Sequence, residues 1–174
     1  MKKVAGEGEL DVRPFAEAVP GDSSRYFAKI ARELNVYLTI PLIEKSKGNL
    51  YNSLLLANPK GEIVAHHRKQ NLWPPGDSGW CDIGDLPAQV VDTEYGRLGL
   101  MVCYDLHVMP EKLATKKADI VLYSVGWFGP NTDNWYRNVF PRRYVKPHKF
   151  HMVIANWSGG KNRLNWEGQG YSNI

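Results

Sequence analysis

Three apolar runs constrain this chain more than anything else in it. "RLGLMVC" (97–103), "DIVLYSV" (119–125) and "HMVIANW" (151–157) are continuous rather than alternating, and helix-like stretches over about 109–117 and 131–145 separate them. Continuous runs of this length indicate strands buried on both faces, which happens when helices cover a largely parallel sheet. The expectation is a mixed sheet with helices packed outside, an α/β layered domain.

The first half has a different pattern. "DSSRYFAKIARELN" (22–35) reads as a helix that Asp22 or Ser23 can cap, with Phe27, Ile30, Ala31 and Leu34 spaced as one buried face. "VYLTIPLIE" (36–44) reads as a strand. "NLYNSLLLANPKGEIVAHHRK" gives two more strands around an Asn-Pro-Lys-Gly turn at 58–61, a hairpin. The segment 70–88 is dense in Pro, Gly and Asp and carries Trp73 and Trp80, the composition of a functional loop. "QVVDTEYGRLGLMVCYD" adds a short strand, a turn at 94–96 and a strand that runs up to Cys103.

With 174 residues, 43% of them hydrophobic, the chain has apolar material for one globular core. A net charge of +4 spread over scattered Lys and Arg gives no basic stripe, and no RNP, KH or zinc-finger signature is present, so no nucleic-acid partner is expected. No apolar run approaches the roughly 20 residues of a membrane span, so no membrane partner is expected either. Two cysteines cannot form a disulfide framework, and a reducing cytoplasm is the default compartment.

Cys103 closes an apolar strand and leads into Tyr104, Asp105 and His107. In a sheet of this kind, ligands bind at the carboxyl edge of the strands, where Cys103 falls. A buried thiol that only fills space is the competing reading, because free cysteine is among the most buried residue types. A nucleophile needs the thiolate, and therefore a nearby cation or base. Arg68 and Lys69 stand where the hairpin strand becomes the aromatic loop, next to Leu72 and Trp73, an odd setting for surface charge.

The segments "GNLYNSLLLANPKGEIVAHHRKQNLW", "VVDTEYGRLGLMVCYDLHVMPE" and "ADIVLYSVGWFGP", in that order, resemble the carbon–nitrogen hydrolase (nitrilase) superfamily, as does "AEAVPGDSSRYFAKIARELNVYLTIPLIEK" ahead of them. The resemblance covers nearly the whole chain. It implies an α-β-β-α sandwich with helices outside, here partial, and one carbon–nitrogen hydrolase domain over 1–174. It implies a thiol hydrolase that cleaves a non-peptide C–N bond in a small amide, nitrile or carbamoyl compound through a Cys thioester, without a cofactor or metal, and a homo-oligomer in the complete form. Residue by residue, "CYD" makes Cys103 the nucleophile and "HRKQNL" makes Lys69 the lysine of a Glu-Lys-Cys set. A backbone N–H near Tyr104 joins Lys69 in stabilising the developing negative charge.

The glutamate of that set is hard to place. Glu7 or Glu9 is the candidate, although neither follows a proline and no strand and helix precede them. The abrupt end at "NWEGQGYSNI" adds the expectation that both ends of the family domain are missing and that the chain by itself is inactive or associates. Asp77 falls near the place of a second family glutamate, or it is a turn residue after Gly76. Trp127 either lines the pocket or packs in a core. His66 and His67 face opposite ways on a strand and cannot chelate together, and the local signatures that would make Cys103 and His107 a thiol-protease dyad are absent. Cys81 has no charged strand-end setting and is expected to be inert. The alternative function is a non-catalytic protein of the same fold that acts through another chain.

Overall fold

In the computed structural model of the chain, residues 11–74, 76–127, 134–157, 160–161, 167–168, 170 and 172–174 are described. The chain divides into two compact units, Met1–Gln89 and Val90–Ile174.

The first unit holds helix α1 (Asp22–Leu34) and an antiparallel sheet of β1 (Leu38–Ser46), β2 (Asn49–Ala57) and β3 (Ile63–Arg68), in that order. Lys47 and Gly48, with φ of 49° and 87°, make the two-residue turn between β1 and β2; a tight hairpin needs this left-handed pair, and glycine adopts it without a Cβ penalty. In the β2–β3 turn, the Asn58 side-chain oxygen accepts the N–H groups of Lys60 (3.0 Å) and Glu62 (2.9 Å), which closes the hairpin expected at 58–61.

Side chains alternate between the faces of this sheet. Ile40, Leu55 and Ala57 lie on the face that α1 covers with Ala28 and Ala31, and Val19, Leu38, Leu42 and Ile63 pack around them. The buried side of α1 is therefore Ser24, Ala28 and Ala31, whereas Phe27 is 40% and Leu34 66% exposed. The buried face is rotated about the helix axis from the expected one. Small residues let α1 approach the sheet closely, so the larger residues turn outward. The start of α1 also differs from expectation. Neither Asp22 nor Ser23 caps it; the Ser24 hydroxyl accepts the Gly21 N–H (2.8 Å) and Glu17 accepts the Ser23 N–H (2.9 Å).

The second unit carries a mixed four-stranded sheet in the order β4 (Val90–Thr93), β5 (Gly96–Val102), β6 (Ile120–Val125), β7 (His151–Asn156). β4 is antiparallel to β5, and β5, β6 and β7 are parallel. This is the expected α/β character. Helix α2 (Met109–Thr115) packs Leu113 against Gly99 of β5, where a Cβ would lie 2.9 Å from the leucine methyl. β5 is buried over five consecutive residues, but β6 and β7 alternate, so only one of the three runs has the continuous burial expected. The described part of the 131–145 helix starts at Asn134 and winds as π-helix over Trp135–Val139 and Pro141–Val145. Its Tyr136, Phe140 and Tyr144 are buried, and the Phe140 ring stacks on Tyr123 of β6 at 6.2 Å. Two short strands, β8 (Gly160–Lys161) and β9 (Glu167–Gly168), pair further along. No helix among the described residues is long and apolar enough to cross a membrane.

Candidate active site

Lys69 comes directly after β3, on the sheet face opposite α1. Its backbone is held on both sides: the N–H donates to Asn52 O (2.8 Å), and its carbonyl accepts the Gly84 N–H (2.8 Å). A Cβ at position 84 would lie 2.1 Å from the Arg68 carbonyl, so only glycine lets the 70–88 loop come this close. The Lys69 side chain is 1% exposed and its ammonium pairs with Asp77. The Asp77 carboxylate also accepts the Asn52 side-chain amide (3.1 Å) and the Trp73 backbone N–H (3.0 Å). Asp77 opens a short 3-10 turn at Asp77–Gly79, so it is both the turn residue and the acid that meets the lysine. A buried ammonium needs such a partner.

The residue before Lys69 serves the other face. Arg68 reaches Glu44 through Nη2 (2.5 Å) and Nε (3.0 Å), donates to Asp85 (2.6 Å), and lies 4.1 Å over the Tyr51 ring. Glu44 also meets His66 Nε2 (2.8 Å) and accepts the Ser53 hydroxyl (2.7 Å). Burial pushes the Glu44 carboxyl up, but the hydrogen bonds of His66, Arg68 and Ser53 outweigh it and hold the group at about 2. The same pairing with Glu44 raises the Arg68 guanidinium. His66 and His67 do point opposite ways: His66 joins this network on the α1 face, and His67 is buried on the Lys69 face.

In the second unit, β5 ends at Val102 rather than Cys103. Cys103 has φ of 44°, in the left-handed region that a residue with a Cβ rarely adopts, and begins a 3-10 turn, Cys103–His107. Two contacts secure the turn. The buried Asp105 carboxylate accepts the Val102 N–H (3.3 Å), and the Tyr123 hydroxyl donates to the Cys103 carbonyl (2.9 Å). Cys103 is half-buried, whereas Cys81 is 3% exposed and burial pushes its thiol up to about 12. Backbone strain of this kind persists only where its surroundings over-determine it, and it clusters at functional sites.

Tyr104 packs edge-on against His107 at 4.6 Å, and the Tyr144 hydroxyl lies 3.2 Å from His107 Nδ1. Burial and then Arg143 lower the His107 imidazole. At the carboxyl edge of β6 and β7, the Trp127 N–H donates to Asn156 Oδ1 (2.8 Å), and its ring lies 4.4 Å from Trp135. Asn156 donates on to the Gly170 carbonyl (2.5 Å) and so ties three segments together. Glu7 and Glu9 lie outside the described residues. Glu44, Asn52, Tyr123 and Asn156 had not stood out in the sequence. A carboxylate inside the apolar strand "LTIPLIEK" was the one legible signal among them.

The described geometry defines an α/β protein with a strained cysteine at the carboxyl end of a parallel strand and a buried lysine paired with an acid. Residues 5–173 match the carbon–nitrogen hydrolase family model, and the chain belongs to that family. It is 35% identical over 155 residues to the omega-amidase NIT2 of Homo sapiens, covering 82% of this chain and 55% of that protein. With an aliphatic nitrilase of Sinorhizobium fredii it shares 35% identity over 115 residues, 65% of this chain and 36% of the nitrilase. The chain thus spans about half the length, or less, of the curated relatives it matches. The solved structures that share its fold include two with a TM-score of 0.75. One is a mutant of the Nesterenkonia sp. AN1 amidase with the acetamide moiety of fluoroacetamide added covalently at its active-site cysteine (TM-score 0.75, 21% identity, 84% of this chain and 56% of that one). The other is the carbon–nitrogen hydrolase superfamily protein XC1258 of Xanthomonas campestris (TM-score 0.75, 18% identity, 87% and 59%).

Proposed function

We propose that the protein hydrolyses a non-peptide C–N bond in a small-molecule amide, with Cys103 as nucleophile. The observation that carries this reading is the left-handed backbone at Cys103, which ends an apolar strand in a turn held by Asp105 and Tyr123. A half-buried thiol at a strained strand end suits nucleophilic attack better than space-filling. Membership of the carbon–nitrogen hydrolase family and the identity to omega-amidase NIT2 direct the choice of substrate class toward amides, ahead of nitriles and carbamoyl compounds.

In this reading the Cys103 thiolate attacks the amide carbon, and the new C–S bond places a negative charge on the former carbonyl oxygen. Lys69 and the Tyr104 backbone N–H stabilise that charge. The C–N bond breaks, the nitrogen takes up a proton and leaves as ammonia or an amine, and water then hydrolyses the thioester to the carboxylic acid. A general base must deprotonate the thiol and later the water. Glu7 or Glu9 is the candidate for that role. Asp77 keeps the Lys69 ammonium in place, and Trp127 forms part of the pocket wall. Both units then belong to one carbon–nitrogen hydrolase domain, which would work as a homo-oligomer.

Ammonia release from a panel of aliphatic amides, ω-amides and nitriles tests the assignment. Release from amides that disappears in Cys103→Ser and persists in Cys81→Ser supports it. Release that survives in Cys103→Ser would refute it.

A further inference from the structure

We infer that Tyr123 is a positioning residue that aims the peptide between Cys103 and Tyr104 at the reacting oxygen. The inference rests on the nucleophile reading of Cys103 above.

Tyr123 is 1% exposed, in the middle of β6, opposite Met101 of β5. Its ring stacks on Phe140, and its hydroxyl donates to the Cys103 carbonyl at 2.9 Å, linking two positions 20 residues apart. A buried hydroxyl needs a partner, but here the partner is the carbonyl of a residue whose φ is 44°. The Cys103–Tyr104 peptide is trans and planar, so its C=O and its N–H point in opposite directions from one rigid plate. A hydrogen bond on the carbonyl therefore fixes the direction of the Tyr104 N–H. The Asp105 carboxylate accepts the Val102 N–H of the Met101–Val102 peptide and so ties the turn back to the last residue of β5.

The phenol is kept protonated over a wide pH range: burial raises it well above its ordinary value, and the nearby Cys103 adds to the effect. Tyr123 is thus a permanent donor. An N–H aimed in advance at a developing oxyanion needs no reorganisation during the reaction. Tyr123 touches no substrate in this scheme and acts through the backbone.

Two reactions of the same thiol separate this role from general support of the fold. In acylation by p-nitrophenyl acetate, the Cys103 thiolate forms a C–S bond and nitrophenolate leaves with the electron pair, through a tetrahedral oxyanion. In alkylation by iodoacetamide, the thiolate displaces iodide at a saturated carbon, and no oxyanion forms. In Tyr123→Phe the ring and its stacking remain and only the hydroxyl is lost. Acylation of Cys103 should slow about tenfold or more, while alkylation stays within about threefold of the wild-type rate. Incorporating 3-fluorotyrosine at position 123, which keeps a hydroxyl, should restore acylation. Leu113→Ala, a core truncation on α2 away from the hydroxyl, should lower the thermal midpoint and leave the ratio of the two rates unchanged; it also calibrates any loss of stability in Tyr123→Phe. Equal slowing of both reactions, or slowing of neither, in a wild-type background that acylates, would overturn the inference and leave the nucleophile reading intact. A wild-type protein that alkylates at Cys103 but never acylates there would overturn both.

Discussion

Arg68 and Lys69 are consecutive, buried and oppositely directed: the guanidinium is gripped by Glu44 on the helix-covered face of the sheet, and the ammonium pairs with Asp77 on the other. The end of β3 is thus pinned on one face so that a cation can be presented on the other. The Glu44 network fixes the strand, and the lysine is held at a defined place in front of the 70–88 loop.

Acid stability should report the first of these pairs. Glu44 is held at about 2 in the folded protein, below its ordinary value of 4.5. A depressed carboxylate contributes stability that is fully present above the unfolded value and is lost as pH falls through the folded one, so the window runs from about 4.5 down to about 2. The contribution is on the order of 3 kcal/mol. Glu44→Gln should remove it: the thermal midpoint of the variant should lie below wild type at neutral pH, and the two curves should converge as pH falls through that window. Parallel curves would contradict the assigned role.

The second pair predicts a larger penalty for breaking than for conserving. Asp77→Ala leaves the Lys69 ammonium buried without its carboxylate and should cost about 3–5 kcal/mol in urea unfolding. Asp77→Glu keeps the charge and should retain part of that stability. If Asp77→Ala were as stable as wild type, Lys69 would be finding solvent, and the buried pair would not describe the protein.

The sequence and the structure agree most closely where the signal is local. The strand and helix order, the Asn58 hairpin, the cysteine at the end of β5 and the lysine after β3 could all be read from apolar runs and turn residues. The contacts without a local signal join partners far apart in the chain. Glu44 and Arg68 are 24 residues apart, and Tyr123 and Cys103 are 20 apart. Neither distance leaves a periodic trace. The expected face of α1, Phe27, Ile30, Ala31 and Leu34, shares Ala31 with the buried set of Ser24, Ala28 and Ala31; both sets have helical spacing, and periodicity cannot tell a large apolar stripe from a small-residue stripe that allows close packing. The left-handed backbone at Cys103 had no signal at all, because glycine is the residue that announces such a conformation.

The two cysteines should differ sharply in reactivity. Cys81 is buried, and its thiol is pushed up to about 12 by that burial and then by Asp77, whereas Cys103 is half-exposed. The thiolate is the reactive form. Limiting iodoacetamide at pH 8, followed by peptide mass spectrometry, should find the label on Cys103 with little on Cys81 until the protein is unfolded. Preferential labelling of Cys81 would contradict both the burial and the assignment of the nucleophile.

A nucleophilic Cys103 must pass through a thioester with its amide substrate, and that intermediate can be trapped. The protein is mixed with an amide that it hydrolyses, quenched in acid within milliseconds to seconds, and mapped by peptide mass spectrometry. The acyl mass increment should appear on the peptide that contains Cys103, be removable by hydroxylamine and be absent from Cys103→Ser. Ammonia release with no acyl group on Cys103, or an acyl group that forms on another residue, would contradict the nucleophilic role of Cys103.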